Sequence, residues 1–383
     1  MTQGARLSAW YFCYFGFIGI FLPFFGLYLQ SIHLSVGRIA ILMSLGQFMR
    51  LLAPMFWAQL ATSANRLVRT IVASTTLACV SFMVVFATED FAALLLGLLV
   101  MHFCWSASLP LVESLTLRHL SSQPERYGRI RLWGSVGFIV AVAGGGALLD
   151  VSSLAALLWG GWGLMFCTFA VTTTLSEARS IPLGEAILLS TVFKQRKLRY
   201  LLAAGFCMLA AHGALYIFYS IYLAGQGYSA TIIGALWALG VLAEIAVFTF
   251  LPGLSRRHSM RRILLLSFAL AALRFATIGW GAAHLSLLIL AQLLHGATFG
   301  AHHAATMAAL NKWVAPGQQA NGQAIYGSVA YGAGGLAGSL LAGQIWSQVG
   351  PALTFSVASL VALLGLILVW RGIPDEFEGR PVR

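Results

Sequence analysis

The chain has 383 residues, of which 59% are hydrophobic and only 9% are Asp, Glu, Lys or Arg, and its formal net charge is +12 at pH 7. Soluble domains carry about 25% charged residues, so this composition excludes a soluble globular protein and points to a chain that crosses a membrane many times. The positive balance does not mark a nucleic-acid partner, because the basic residues collect in loops on one side of the predicted spans.

A membrane-spanning helix needs about 20 apolar residues. Turn and charge clusters separate twelve such segments, in chain order 7–29, 36–60, 67–87, 91–117, 127–149, 152–174, 199–224, 229–253, 261–280, 284–310, 320–346 and 350–371. Stretches such as Phe91 to Met101 lack the period-two alternation of a membrane barrel, so the spans read as helices. The first apolar run is long and no small-residue cleavage site follows it, which makes it span one rather than a removable signal. Pro23 in span one and Pro110 in span four could break their helices at a cavity, although kinks are also common in passive spans. Cys13, Cys79, Cys104, Cys167 and Cys207 lie singly inside spans without CxxC or Cys/His spacing, so neither a disulfide nor a metal site is expected.

All but three of the 23 Lys and Arg residues fall on the side of the termini; Arg38 lies in an opposite loop, and Arg50 and Arg274 lie within spans. That bias predicts cytoplasmic N and C termini. Attraction to the anionic headgroups of membrane lipids is its ordinary by-product.

The two halves align at a shift of 194 residues: Phe12, Cys13, Gly19, Phe24, Tyr28 and Leu29 match Phe206, Cys207, Gly213, Phe218, Tyr222 and Leu223. Ser35, Leu45 and Gly46 match Ser229, Leu239 and Gly240, and near the fifth spans Gly134-Ser135-Val136 matches Gly327-Ser328-Val329 at a shift of 193. The polar connection 175–198 separates the halves. The expected organisation is a six-helix bundle over 1–174, a cytoplasmic linker over 175–198, and a second six-helix bundle with a short tail over 199–383. Parallel six-span repeats with substrate near the midplane are the layout of major facilitator transporters. Gly144-Gly145-Gly146 and the glycines from Gly332 to Gly343 fit close helix packing, whether static or sliding.

Arg50, Glu113, Glu244 and Arg274 are isolated charges inside predicted spans. A charge in hydrocarbon costs at least about 2.5 kcal/mol, so each needs a partner, a wet cavity or a job. The repeat sets Arg50 of span two at the position of Glu244 of span eight, opposite charges expected to face one cavity.

Val112-Glu113-Ser114 followed by Tyr127 to Gly137 resembles the span four to span five region of the lactose permease group, where a Glu and an Arg bind the substrate. Leu242-Ala243-Glu244, Leu273-Arg274-Phe275 and Leu294-His295 resemble that group's span-eight Glu, span-nine Arg and span-ten His. Two departures stand out: Phe138 replaces a sugar-stacking Trp, and Thr298 replaces a carboxylate one turn after the His. The chain is more similar to the 3-phenylpropionate permease branch, through Phe21 to Phe24, Tyr127 to Phe138, Gly225 to Ala230, Leu239 to Val241, Leu294-His295, Thr298-Phe299 and His303. That branch also carries an Arg at the Arg50 position, and an Asp where Glu113 stands.

These readings predict an all-α membrane protein with twelve transmembrane helices in two pseudo-symmetric six-helix bundles, the major facilitator fold. The resemblance implies a proton symporter taking up a small organic solute, with an aromatic monocarboxylate such as 3-phenylpropionate as the best single guess. Arg50 is the first choice for the substrate anion, because a guanidinium grips both carboxylate oxygens and keeps its proton. Arg131 is the second, paired with Glu113 either at the substrate, as a gate or as a static bridge. Phe138, Tyr216 and Trp237 are candidate aromatic contacts, with Tyr219 and Tyr326 behind them. Glu244 is the expected proton site, with Arg274 able to switch its pairing, and His295 and His303 are candidate relays. His102, His212 and His302 read more simply as histidines satisfied by the backbone. Span five lacks the Gly-Pro motif of drug antiporters, which favours uptake, and the span 2–3 loop keeps only Arg66 and Arg69 of the facilitator signature. The absence of GxxxxGK[ST], of HExxH and of a nucleophile–base–acid set argues against ATP-driven transport, a cofactor or an enzyme. The alternatives are an oligosaccharide or nucleoside symporter of the same fold, or a non-transporting membrane sensor, which the short tail from Gly372 disfavours.

Overall fold

The computed structural model describes residues 2–64, 66–121, 123–177, 194–315 and 317–376. Most of the predicted 175–198 linker and the last basic residues of the tail lie outside the described residues. In hydrocarbon every backbone N–H and C=O must be satisfied within the segment, and long apolar runs do so as helices. The first half gives α1 (Gln3–Ser31), α2 (Val36–Ala64), α3 (Leu67–Phe82) with a short continuation α4 (Val84–Ala87), α5 (Phe91–His119), α6 (Tyr127–Val151) and α7 (Leu154–Thr172). The second gives α8 (Arg196–Gly225), α9 (Ala230–Arg257), α10 (Met260–Gly281), α11 (Leu285–Leu293), α12 (His302–Trp313), α13 (Gln319–Tyr326), α14 (Gly335–Val349) and α15 (Pro351–Gly372).

Polar residues at the turns start these helices. Asp90 accepts from the N–H of Ala93 (2.9 Å) and Ser153 from that of Ala156 (3.2 Å), each satisfying a donor that the first helical turn leaves open. Among the described residues eleven helices are long and apolar enough to cross a membrane. The Gly-rich run Gln319–Val349, expected as the eleventh of twelve spans, is not one of them.

Of the two readings of Pro23 and Pro110, a break does not occur: both lie inside continuous α1 and α5, as Pro54 does inside α2. Neighbouring turns and helices absorb the missing donor. The irregularity sits elsewhere, at glycines. Gly296–Ala301 joins α11 to α12, and Gly327–Gly334 joins α13 to α14, each as a π-helical segment. Such segments recur at functional sites.

The contacts divide the chain into two compact units, Met1–Pro182 with Leu223–Ala238, and Leu183–Tyr222 with Leu239–Arg383. Among the described residues the division therefore falls near the end of α8 and inside α9. The start of α9 belongs with α6 because glycines bring the two together: a methyl group on Gly146 would collide with the carbonyl of Ala230, and one on Gly234 with that of Val142. Asp150, at the end of α6, completes the contact. Its carboxylate accepts from the N–H groups of Ala230 (2.8 Å) and Thr231 (3.0 Å), the open donors at the start of α9.

Inside each unit the internal repeat recurs as geometry. Tyr28 donates to the carbonyl of Val85 (2.8 Å), and Tyr222, 194 residues later, donates to that of Gly279 (2.9 Å), itself 194 residues after Val85. The carbonyl of Phe12 lies where a methyl on Gly137 would be, and that of Phe206 stands 2.6 Å from the place of a methyl on Gly334. A histidine ring packs on Gly46 in one unit and on its repeat partner Gly240 in the other, each 3.2 Å from an added methyl. Those rings belong to His102 and His295, which are themselves 193 residues apart.

Candidate functional site

The second unit gathers its titratable side chains around α9, α10 and the π segment after α11. Glu244 lies on α9 one turn beyond Gly240, on the face that His295 covers. The Nε2 atom of His295 is 2.8 Å from Oε1 of Glu244, and the side chains are 9% and 19% exposed. One proton bridges the two, on the imidazole or on the carboxyl. The other ring nitrogen, Nδ1, is buried with no hydrogen-bond partner. The ring stacks on Phe299 with centroids 5.4 Å apart.

Arg274 on α10 is fully buried. Its Nε donates to the carbonyl of Ala291 (2.8 Å) and Nη2 to Oε1 of Gln292 (3.2 Å), while Nη1 reaches Nε2 of His212 and Oγ1 of Thr298, both at 3.4 Å. These partners are all neutral. Glu244 meets His295, while Arg274 meets His212, Gln292 and Thr298. Thr298 places a hydroxyl beside the guanidinium, which accepts a hydrogen bond and carries no charge. His212 binds the carbonyl of Met208 through Nδ1 (2.8 Å), so Nδ1 carries the proton and Nε2 is free to accept from Arg274. Its ring lies 6.0 Å from that of His295 and 5.8 Å from that of Tyr216. His212, Gln292 and Thr298 thus join His295, Arg274, Tyr216 and Glu244 in one polar cluster.

In the first unit, Nε of Arg131 lies 3.5 Å from Oε1 of Glu113, with side chains 32% and 34% exposed. The guanidinium stacks over Phe15 (4.2 Å) and Tyr11 (5.4 Å). Gly134 makes room for it, since a methyl there would press on Phe15 (2.7 Å) and on Arg131 itself (2.9 Å). Deeper in the unit, His102 and Trp105 on α5 are buried, and His102 Nε2 and Trp105 Nε1 have no hydrogen-bond partner. Trp105 stacks on Tyr14 (4.6 Å, 7°), which stacks in turn on Trp10 (4.8 Å, 15°). Arg50 is exposed and stands one turn beyond Gly46, the glycine that His102 covers.

The other predicted residues are placed as follows. Phe138 is buried, its backbone pressed against Gly19, and Trp237 is buried on the first turns of α9. His303 binds the hydroxyl of Tyr331 through Nδ1 (3.2 Å), whereas its neighbour His302 packs edge-on against Phe268 (5.3 Å). Tyr326 fills the space left by Gly205 and is fully buried. Among the described residues no group of three His, Cys, Asp or Glu is placed to hold a metal ion.

The sequence did not single out Gln292, and it ranked His102 and His212 below the other candidates. One signal was available for His102: its 193-residue offset from His295 follows the repeat. No comparable signal marks Gln292, because a single amide in an apolar helix reads as an ordinary polar residue.

The MFS_1 like family pattern matches residues 5–357. The chain belongs to that family. It is 32% identical to the "Probable 3-phenylpropionic acid transporter" of Escherichia coli (strain K12), over 98% of this chain and all of the relative. It is 27% identical to the "Maltose permease" of Geobacillus stearothermophilus, over 94% and 92% of the two chains. The crystal structure of the nucleoside transporter NupG superposes with a TM-score of 0.81 at 17% identity, covering 97% of this chain and 98% of that one, a likeness of fold. The protein is therefore a multi-pass membrane transporter of the major facilitator type and not an enzyme.

Proposed function

We propose that this transporter carries a small organic carboxylate inward together with protons, and that the solute is an aromatic monocarboxylate. The observation that carries the reading is the inverted charge at repeat-equivalent positions. In the second unit Glu244 and His295 share a proton-bearing hydrogen bond, a unit able to take up and release H⁺. In the first unit the equivalent place holds Arg50, beside an α5 helix with a buried Trp N–H and a buried imidazole nitrogen that have no partner. A cation and unmet polar groups suit a carboxylate, and the Trp10–Tyr14–Trp105 stack suits an aromatic ring. The name of the E. coli relative points to the same solute class. Phe138 in place of a stacking Trp weighs against a sugar.

In the proposed cycle Glu244 is protonated from outside, with His295 relaying, and the solute's carboxylate docks on Arg50. Arg274 holds its neutral partners ready to rearrange, with Tyr216 beside them. Glu113 and Arg131 act as a separable pair, and Phe138, Trp237 and His303 contribute to the walls of the path. The transporter is placed in a bacterial inner membrane, with twelve spans, two pseudo-symmetric six-helix bundles and both termini in the cytoplasm.

Counterflow in proteoliposomes loaded in turn with phenylpropionate, a galactoside and a nucleoside tests the substrate. Exchange of the aromatic acid is expected; exchange of only one of the others moves the assignment to that class. Arg50→Lys keeps the charge but loses the two-pronged grip, and is expected to weaken acid binding on the order of tenfold. Unchanged affinity would transfer the anion role to Arg131.

A further inference from the structure

At one end of the second unit the first turn of α8, the first turn of α10 and the last turn of α15 enclose an open crevice of about 640 Å³. Its lining includes Arg196, Lys197, Arg261, Arg371, Gln195 and Trp370. Four cations from three helices therefore converge on one concave surface, and no acidic residue among the described residues lines it.

The nearby acids make their direct contacts with other residues. Asp375 accepts from Ser259 and pairs with Arg262 (3.8 Å), and Glu376 pairs with Lys312 (2.9 Å). Among the described residues none of the four crevice cations has a carboxylate partner. Arg196 and Lys197 lie over the rings of Tyr200 (5.6 Å) and Trp313 (5.0 Å). Arg261 gives Nη2 to the carbonyl of Trp370 (2.7 Å), while its Nε is buried with no acceptor.

The walls are built closely. Gly372 presses the end of α15 onto Tyr200, where a side chain would collide with the ring. Trp370 is 59% exposed at the end of an apolar helix, the position of an aromatic residue at a membrane–water boundary. An anion reaching this crevice therefore meets guanidinium and ammonium groups at headgroup depth, with an apolar helix surface beside them.

We propose that this crevice binds the phosphate of an anionic phospholipid headgroup. Arg261 and Arg371 supply the principal donors, and the acyl chains lie along α15 beyond Trp370. General attraction of a basic surface would be indifferent to which cations are removed, whereas a built site is not.

The full-length protein in detergent is titrated with short-chain phosphatidylglycerol, with phosphatidylcholine of the same chain length, and with inorganic phosphate. Binding is followed by native mass spectrometry and tryptophan fluorescence. Saturable binding of phosphatidylglycerol is expected, with little binding of phosphatidylcholine or of phosphate alone. Arg261→Gln with Arg371→Gln is expected to weaken the lipid on the order of tenfold, whereas Arg126→Gln with Arg129→Gln, at another exposed basic stretch, leaves it unchanged. Arg371→Gln alone, at an exposed residue, tests the site should the double variant unfold, and is expected to give a few-fold loss. Equal binding of the two lipids, equal losses in both double variants, or no loss in either crevice variant would overturn the proposal. Saturable phosphate binding that displaces the lipid would overturn the assignment to a lipid and leave a soluble anion site.

Discussion

His102 and His295 occupy equivalent places in the two repeats, each packed on a glycine and each buried, yet their chemistry is opposite. Beside His295 the next helix offers Glu244, and the ring closes a 2.8 Å hydrogen bond. The equivalent position beside His102 carries Arg50, and Nε2 of His102 stays without a partner. The scaffold is duplicated; the charge is not. One copy can hold a proton between two groups, and the other presents a buried imidazole nitrogen and a buried indole N–H, on His102 and Trp105, that have no hydrogen-bond partner. In the proposed cycle this inversion of a single side chain assigns the proton to one unit and the solute to the other.

The largest expected effect comes from removing the acid. Glu244→Gln keeps a hydrogen-bonding side chain beside His295 but cannot ionise, so uphill accumulation is expected to disappear while equilibrium exchange continues. Proteoliposomes with and without an imposed pH gradient make the measurement, and surviving accumulation would place the proton elsewhere.

Arg274→Met probes the other buried ion of that cluster. Uptake is expected to fall by at least about tenfold, the loss of one charge-assisted hydrogen-bond set. Stability is expected to hold or rise. Only two of the four contacts are short, and the substitution removes the cost of burying a charge among neutral partners. A sharp drop in apparent Tm would instead make Arg274 a structural strut.

Paired His→Asn substitutions sharpen the comparison directly. His295→Asn is expected to lower accumulation relative to exchange, and His102→Asn to change solute affinity a few-fold, on the order of 1 kcal/mol, with coupling intact. Identical phenotypes from the two variants would mean that the repeat's symmetry outweighs its inverted charge.

The smallest effect lies outside the spans. The hydrogen bond from Lys312 holds the Glu376 carboxyl below the usual carboxylate range. Its folded value is depressed, so the pair stabilises at neutral pH, above the unfolded value of about 4.3, and that contribution is lost as pH falls through the lower folded value. Exposed pairs are screened, so the gap in thermal stability between the wild type and Lys312→Met at pH 7 is expected to be at most about 1 kcal/mol and to close in acid.

Much of the scaffold was legible because apolar run length and loop charge are one-dimensional signals. The predicted segment 91–117 became Phe91–His119, and 127–149 became Tyr127–Val151. The isolated charges were equally visible, since an ion in an apolar run needs no structure to be noticed. Pairing was harder to read. His295 was expected to serve as a relay, but its direct contact with Glu244 depends on how α9 and the π segment meet. His302 stands seven residues after His295, two turns on in an unbroken α-helix, but Gly296–Ala301 changes that phase, and His302 packs on Phe268. Pro23 and Pro110 left two readings open, because a proline's local penalty is visible in sequence and its compensation by neighbours is not.

The seams at Phe12–Gly137 and Phe206–Gly334 carry a mechanical consequence. Where main chain rests on main chain there are no side chains to flex, and close-packed matter compresses little. α1 and α6, like α8 and the glycine run ahead of α14, are in effect glued planks: any stroke this transporter makes must carry each pair whole, and the bending has to come from joints elsewhere in the chain.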